Sequence, residues 1–138
     1  VLAEVTFKVF PRAVTTWTLR LSAVDTAAMT TIFTEAAGQR WELDALEAWP
    51  IEGVVYARLA GPAAALDVLA AEIFSRWPGA ALTDDEASRF WSGVREFARA
   101  HDGGELVKVA LVPGAVAGFC RGRRRWPERG RGWDWVGT

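Results

Sequence analysis

Apolar and polar positions change period at sharp boundaries along this chain. "TTWTLRLS" at 15–22 puts Trp17, Leu19 and Leu21 on one face and Thr16, Thr18 and Arg20 on the other, the alternation of a half-buried strand. Asp25 caps a following helix in which Met29, Ile32, Phe33 and Ala36 recur at helical spacing, and Gly38 stops it. "WELDA" at 41–45 alternates again, with Trp41, Leu43 and Ala45 against Glu42 and Asp44. "GVVYARLAG" at 53–61 predicts a further strand, with Val55, Ala57 and Leu59 on one face and Tyr56 and Arg58 on the other. A helix then starts at Pro62 and ends at Pro78-Gly79, with Leu66, Leu69, Ala70, Ile73 and Trp77 as its apolar stripe.

"TDDE" at 83–86 is a capping box for a helix over 84–100 that packs through Phe90, Val94 and Phe97. After the "HDGG" turn, "ELVKVALVPG" is the most strand-like segment, with Val107, Val109 and Leu111 pointing one way and Lys108, Ala110 and Val112 the other. Pro113-Gly114 opens a short helix toward Phe119, and "WDWV" in the tail could form one last strand. The order β-α-β-β-α-α-β predicts an α+β fold, a ferredoxin-like split βαβ antiparallel sheet with helices on one face and one additional helix. In that topology the last strand lies beside the first. The uncovered face then carries Lys108, Arg20 and Arg58 on three adjacent strands, with Tyr56 near Arg58. Three cations on one face suit an anion, although any half-exposed sheet turns its charges outward.

Composition bounds this picture. At 51% hydrophobic and 24% charged, the 138 residues fit one globular domain with a real core. No apolar run is long enough to span a bilayer. The single cysteine, Cys120, excludes an internal disulfide and has no CxxC neighbour for iron–sulfur ligation. The single histidine, His101, cannot build a histidine zinc site, and it suits the end of a helix. A reducing, cytoplasmic setting is expected.

The net charge of −1 hides an asymmetry: an acidic body precedes residues 121–138, where six arginines meet only Glu128 and Asp134. Arginine interleaved with tryptophan in "RGRRRWPERGRGW" invites a nucleic-acid reading. The interrupting acids and the acidic body argue for a subunit contact instead.

"EVTFKVFPRA" at 4–13 resembles the end of the FAD-binding domain in flavin-linked oxidases of the vanillyl-alcohol-oxidase type. "VYARLAGPAAALDVLAAEI", "DDEASRFWSGVREF" and "LVKVALVPGAV" resemble the cap domain that follows it, in particular that of glycolate oxidase FAD-binding subunits. The similarity covers roughly residues 4–117. It implies three parts: 1–12 as the last strand of a missing FAD-binding domain, 13–118 as a cap (substrate) domain, and 119–138 as a basic Trp/Arg/Gly-rich tail. Val1 is then not a natural start, and the fragment alone is expected to be inactive and to bind no FAD.

The resemblance also implies partners: the upstream FAD-binding domain, a second flavoprotein, an iron–sulfur subunit and a small 2-hydroxy acid such as glycolate. In related 2-hydroxy-acid dehydrogenases, an arginine on the helix before the last cap strand and a lysine inside that strand hold the substrate carboxylate. The matching positions are Arg95 in "WSGVREF" and Lys108 in "LVKVALVP". With the pattern-derived Arg58 and Arg20, these make four candidate substrate-binding residues. Arg95 also shares a helix face with Trp91 and Arg99, so an exposed, stacked role is open to it. No histidine follows Lys108, and no catalytic residue is assigned. The competing expectation is a non-catalytic ferredoxin-like interaction module that binds a protein through its open face or its tail. On the first expectation, Lys108→Ala in the complete protein raises KM and lowers kcat together, as steady-state kinetics would register.

Overall fold

The computed structural model describes residues 15–98 and 109–122. The opening strand, His101, Lys108 with residues 105–108, and the tail from 123 onward lie outside the described residues. Eight elements follow in order: β1 (Thr15–Ser22), α1 (Thr26–Gly38), β2 (Ala45–Trp49), β3 (Val54–Gly61), α2 (Ala63–Arg76), β4 (Gly79–Ala81), α3 (Asp84–Arg95) and α4 (Pro113–Gly122). The sheet is four-stranded with order β2-β3-β1-β4, and its adjacent strands are antiparallel. This is the expected α+β class with split βαβ connectivity.

The inner face of the sheet carries the core. Leu19 and Leu21 of β1 and Val55, Ala57 and Leu59 of β3 pack against Met29 and Ile32 of α1 and against Leu66, Ala70 and Ile73 of α2. Removing each large apolar side chain from water contributes about 1.5–3 kcal/mol. Asp25 caps α1 by accepting from the Ala28 backbone N–H at 2.8 Å. At the edge of the core, Trp41 meets Trp77 edge-to-face at 5.6 Å and donates its Nε1–H to Glu72 at 3.1 Å. Arg76 lies over the Trp41 ring and bridges Glu72 and Glu35, which ties α2 to α1. α4 packs against α1. No helix among the described residues is long and apolar enough to cross a membrane.

Three segments differ from expectation. The strand expected over 41–45 begins only at Ala45, because Glu42 sits in the left-handed region at φ 47° and breaks the extended run. The place beside β1 expected for "ELVKVALVPG" belongs to β4. Residues 109–112 are not in the sheet. Gly79 permits this approach, because a Cβ there would collide with the backbone carbonyl oxygen of Arg20. The ladder continues past β4, with Ser22 N–H donating to Pro78 O and Leu82 N–H to Thr18 O, both at 2.8 Å.

The third difference is α3. It has the expected capping box, with Thr83 and Glu86 bonded reciprocally, but it ends at Arg95. Phe97 takes a left-handed φ of 50°, Ala98 N–H closes onto Gly93 O at 2.9 Å, and Phe97 N–H reaches Val94 O at 3.3 Å. These are the two bonds of a Schellman stop, a position that favours glycine. Phe97 is accordingly 58% exposed, where burial was expected. Phe97→Gly should therefore raise stability by about 1 kcal/mol, because the left-handed backbone then carries no Cβ penalty. Phe97→Val should lower it. Urea unfolding midpoints check both.

Candidate functional site

β1, β2 and β3 send alternate residues to the outer face: Thr16, Thr18 and Arg20 from β1, Tyr56 and Arg58 from β3, Glu47 and Trp49 from β2. Register sets Arg20 opposite Tyr56, Tyr56 opposite Glu47, and Thr18 opposite Arg58. α1 and α2 cover the inner face, and the additional helix, α3, lies against this outer one. Phe90 stacks on Tyr56 with ring centroids 3.8 Å apart and meets Trp49 edge-on at 5.9 Å. Trp91 donates its Nε1–H to the Thr18 hydroxyl at 2.8 Å. The outer face is thus partly roofed, where an uncovered sheet was expected.

The helical period then divides what remains into two grooves. Glu86, Arg89, Phe90, Gly93 and Val94 recur along one flank of α3 and face a groove of about 500 Å3, completed by Arg20, Tyr56 and Trp49. Asp84, Ser88, Trp91 and Arg95 recur along the other flank and face a groove of about 1010 Å3, completed by Arg58 and Asp44. Of the residues expected to form one anion site, Arg20 lies in the first groove and Arg58 and Arg95 line the second. Lys108 lies outside the described residues.

Electrostatics separate the grooves further. Arg58 pairs with Asp44 and lies over the Trp91 ring at 4.7 Å, so its charge and its face are both engaged. Arg95 is 73% exposed and pairs with its neighbour Glu96 at 3.2 Å. With Asp44 and Asp84 also in its lining, the second groove carries both signs. In the first groove the acid is Glu86. Its carboxylate accepts from the Thr83 backbone N–H at 2.9 Å and from the Thr83 hydroxyl at 2.8 Å. Those bonds, the backbone one foremost, together with the charge of Arg89, hold it below the usual carboxylate range. Among the described residues, Arg20 forms no ion pair with Glu86 or any other acid.

Arg89 escaped the sequence reading. Its signal was available in the three-residue spacing from Glu86, which places it on the same flank as Phe90 and Gly93. That flank acquires meaning only once α3 is known to lie on the outer face. No group of three or more metal-ligating side chains occurs among the described residues. No protein-family model, no curated protein and no solved structure matches the chain.

Burial pushes the Glu47 carboxyl above its ordinary 4.5. A raised carboxylate pKa means that the fold holds the proton more tightly than the unfolded chain does. Stability therefore declines as pH rises from about 4.5 through the folded pKa, and the penalty persists above it. Glu47→Gln should raise the thermal midpoint at pH 7 and leave it unchanged at pH 3. A gain of equal size at both pH values would mean that ionisation is not the cause.

Proposed function

We propose that this chain is the substrate-side (cap) part of an FAD-linked oxidoreductase acting on a small 2-hydroxy acid such as glycolate, and that the first groove receives the acid's carboxylate. The observation that carries this reading is Arg20. It is an exposed cation on a central strand, without an ion pair among the described residues, at the wall of a groove lined by aromatic rings. A guanidinium so placed holds a carboxylate through charge-assisted hydrogen bonds. Holding the acid in one orientation is the contribution this chain would make, and such positioning can supply several kcal/mol of barrier reduction. The resemblance of "EVTFKVFPRA" and "LVKVALVPGAV" to flavin-linked oxidases supports the class.

The described residues do not fit the flavin's own phosphates. The three strand-to-helix turns among the described residues carry Asp25 at the start of α1, Pro62 at the start of α2 and Thr83 at the start of α3, with no glycine-rich loop. The Asp25 carboxylate already occupies the first of these helix ends. FAD would therefore be held by the upstream domain. The second flavoprotein and the iron–sulfur subunit belong to the same proposal as electron-transfer partners.

A second reading has its own observation. α3 roofs part of the outer face, and the groove on its far side presents Arg58 and Arg95 beside Asp44 and Asp84. Mixed charge of this kind suits a complementary protein surface, as in a non-catalytic ferredoxin-like interaction module.

The test is the visible spectrum of a longer protein carrying the upstream domain, before and after anaerobic addition of glycolate. Bleaching of bound flavin is expected, and Arg20→Gln should then raise KM about tenfold through loss of a charge-assisted contact. Bleaching with unchanged kinetics in Arg20→Gln removes the groove from the reading. Bound flavin that fails to bleach rules out glycolate. A protein that binds no flavin leaves the interaction module as the account.

A further inference from the structure

The first groove is cationic at its walls and aromatic between them. Arg20 enters from β1 and Arg89 from α3, both exposed, while Trp49, Tyr56 and Phe90 supply the aromatic part of the lining. The one acid of this lining, Glu86, directs its carboxylate at Thr83 and the start of α3. A glycolate molecule would meet the arginines and leave the aromatic wall against water. A groove of about 500 Å3, half open to solvent, has room for a larger organic acid.

We propose that this groove takes a 2-hydroxy acid bearing an aromatic or bulky apolar substituent, with Arg20 and Arg89 on the carboxylate and the half-buried Trp49 and Phe90, backed by the buried Tyr56, against the substituent. The inference rests on reading the groove as a carboxylate site and goes beyond it in naming the substituent. Two chemistries meet in one ligand of this class. Its carboxylate gives Arg20 an anion it lacks among the described residues and adds to the charge that Glu86 presents to Arg89, and its ring removes apolar surface from water on both sides of the contact. The neighbouring groove, where Asp44 and Asp84 offset Arg58 and Arg95, offers the same anion no net positive charge.

Isothermal titration of the chain with 3-phenyllactate and, separately, with glycolate tests this. 3-Phenyllactate should bind at least about tenfold more tightly, the minimum expected from burying a ring. Arg20→Gln and Arg89→Gln should each weaken it by about tenfold while leaving the far-ultraviolet circular dichroism unchanged. Equal affinity for the two acids overturns the substituent inference and leaves the carboxylate site standing. Tight 3-phenyllactate binding that neither substitution weakens places the ligand elsewhere and overturns the proposal. If neither acid binds, the groove is not the site, and the flavin-bleaching experiment decides separately whether the oxidoreductase reading survives.

Discussion

The pairing of β1 with β3 runs without a break from Thr15 opposite Gly61 to Ser22 opposite Val54, and every outward side chain on those two strands takes its direction from it. A shift of one residue would turn Leu19 and Leu21 to solvent and bring Arg20 and Thr18 into the core. That slip is prohibitive, because Leu19, Leu21, Val55 and Leu59 are all fully buried against α1 and α2. The apolar inner face thus fixes the placement of the polar outer face. Arg20, Tyr56 and Glu47 stand in one row across three strands because their inward neighbours have no alternative.

On that fixed row α3 settles with aromatic contacts and one hydrogen bond rather than with a buried apolar stripe. Phe90 on Tyr56 and Trp91 on Thr18 are adjacent residues of one helix, so together they set its height and its rotation about its own axis. Rotation then sorts the charges. Arg89 is brought to the Arg20 side, while Arg95 and Asp84 are sent to the Arg58 side. The chemistry of the outer face is therefore set by a helix no residue of which is fully buried.

Much of this was legible in the sequence, and the reason differs by element. β1, β3, α1 and α2 have periods that agree with their caps and turns, so local preference and burial point the same way. β2 was displaced because "WELDA" alternates convincingly, yet Trp41 is drawn under α2 to meet Trp77 and Glu72, a contact that local pattern does not encode. β4 was hidden because Gly79-Ala80-Ala81 has no β-propensity. What selects it is the absence of a Cβ where the backbone of β1 passes closest. Arg20, Arg58 and Arg95 were each visible as cations. Their separation by α3 was not, because the same capping box and helical period would serve a helix on either face of the sheet.

That separation decides what the cations can do. A guanidinium that already has a carboxylate and a ring, as Arg58 does, gains little from a new anion and must give up an existing pair to bind one. Arg20 has given up nothing of the kind: its nearest acid in the groove is turned toward Thr83. Charge count alone would rank the second groove with the first, since each holds two arginines. The arrangement of acids breaks that tie. Asp44 and Asp84 balance the second groove, whereas in the first the capping box engages Glu86 with Thr83 and its charge acts on Arg89. A bond whose local task is to start a helix thereby leaves Arg20 without an ion pair among the described residues.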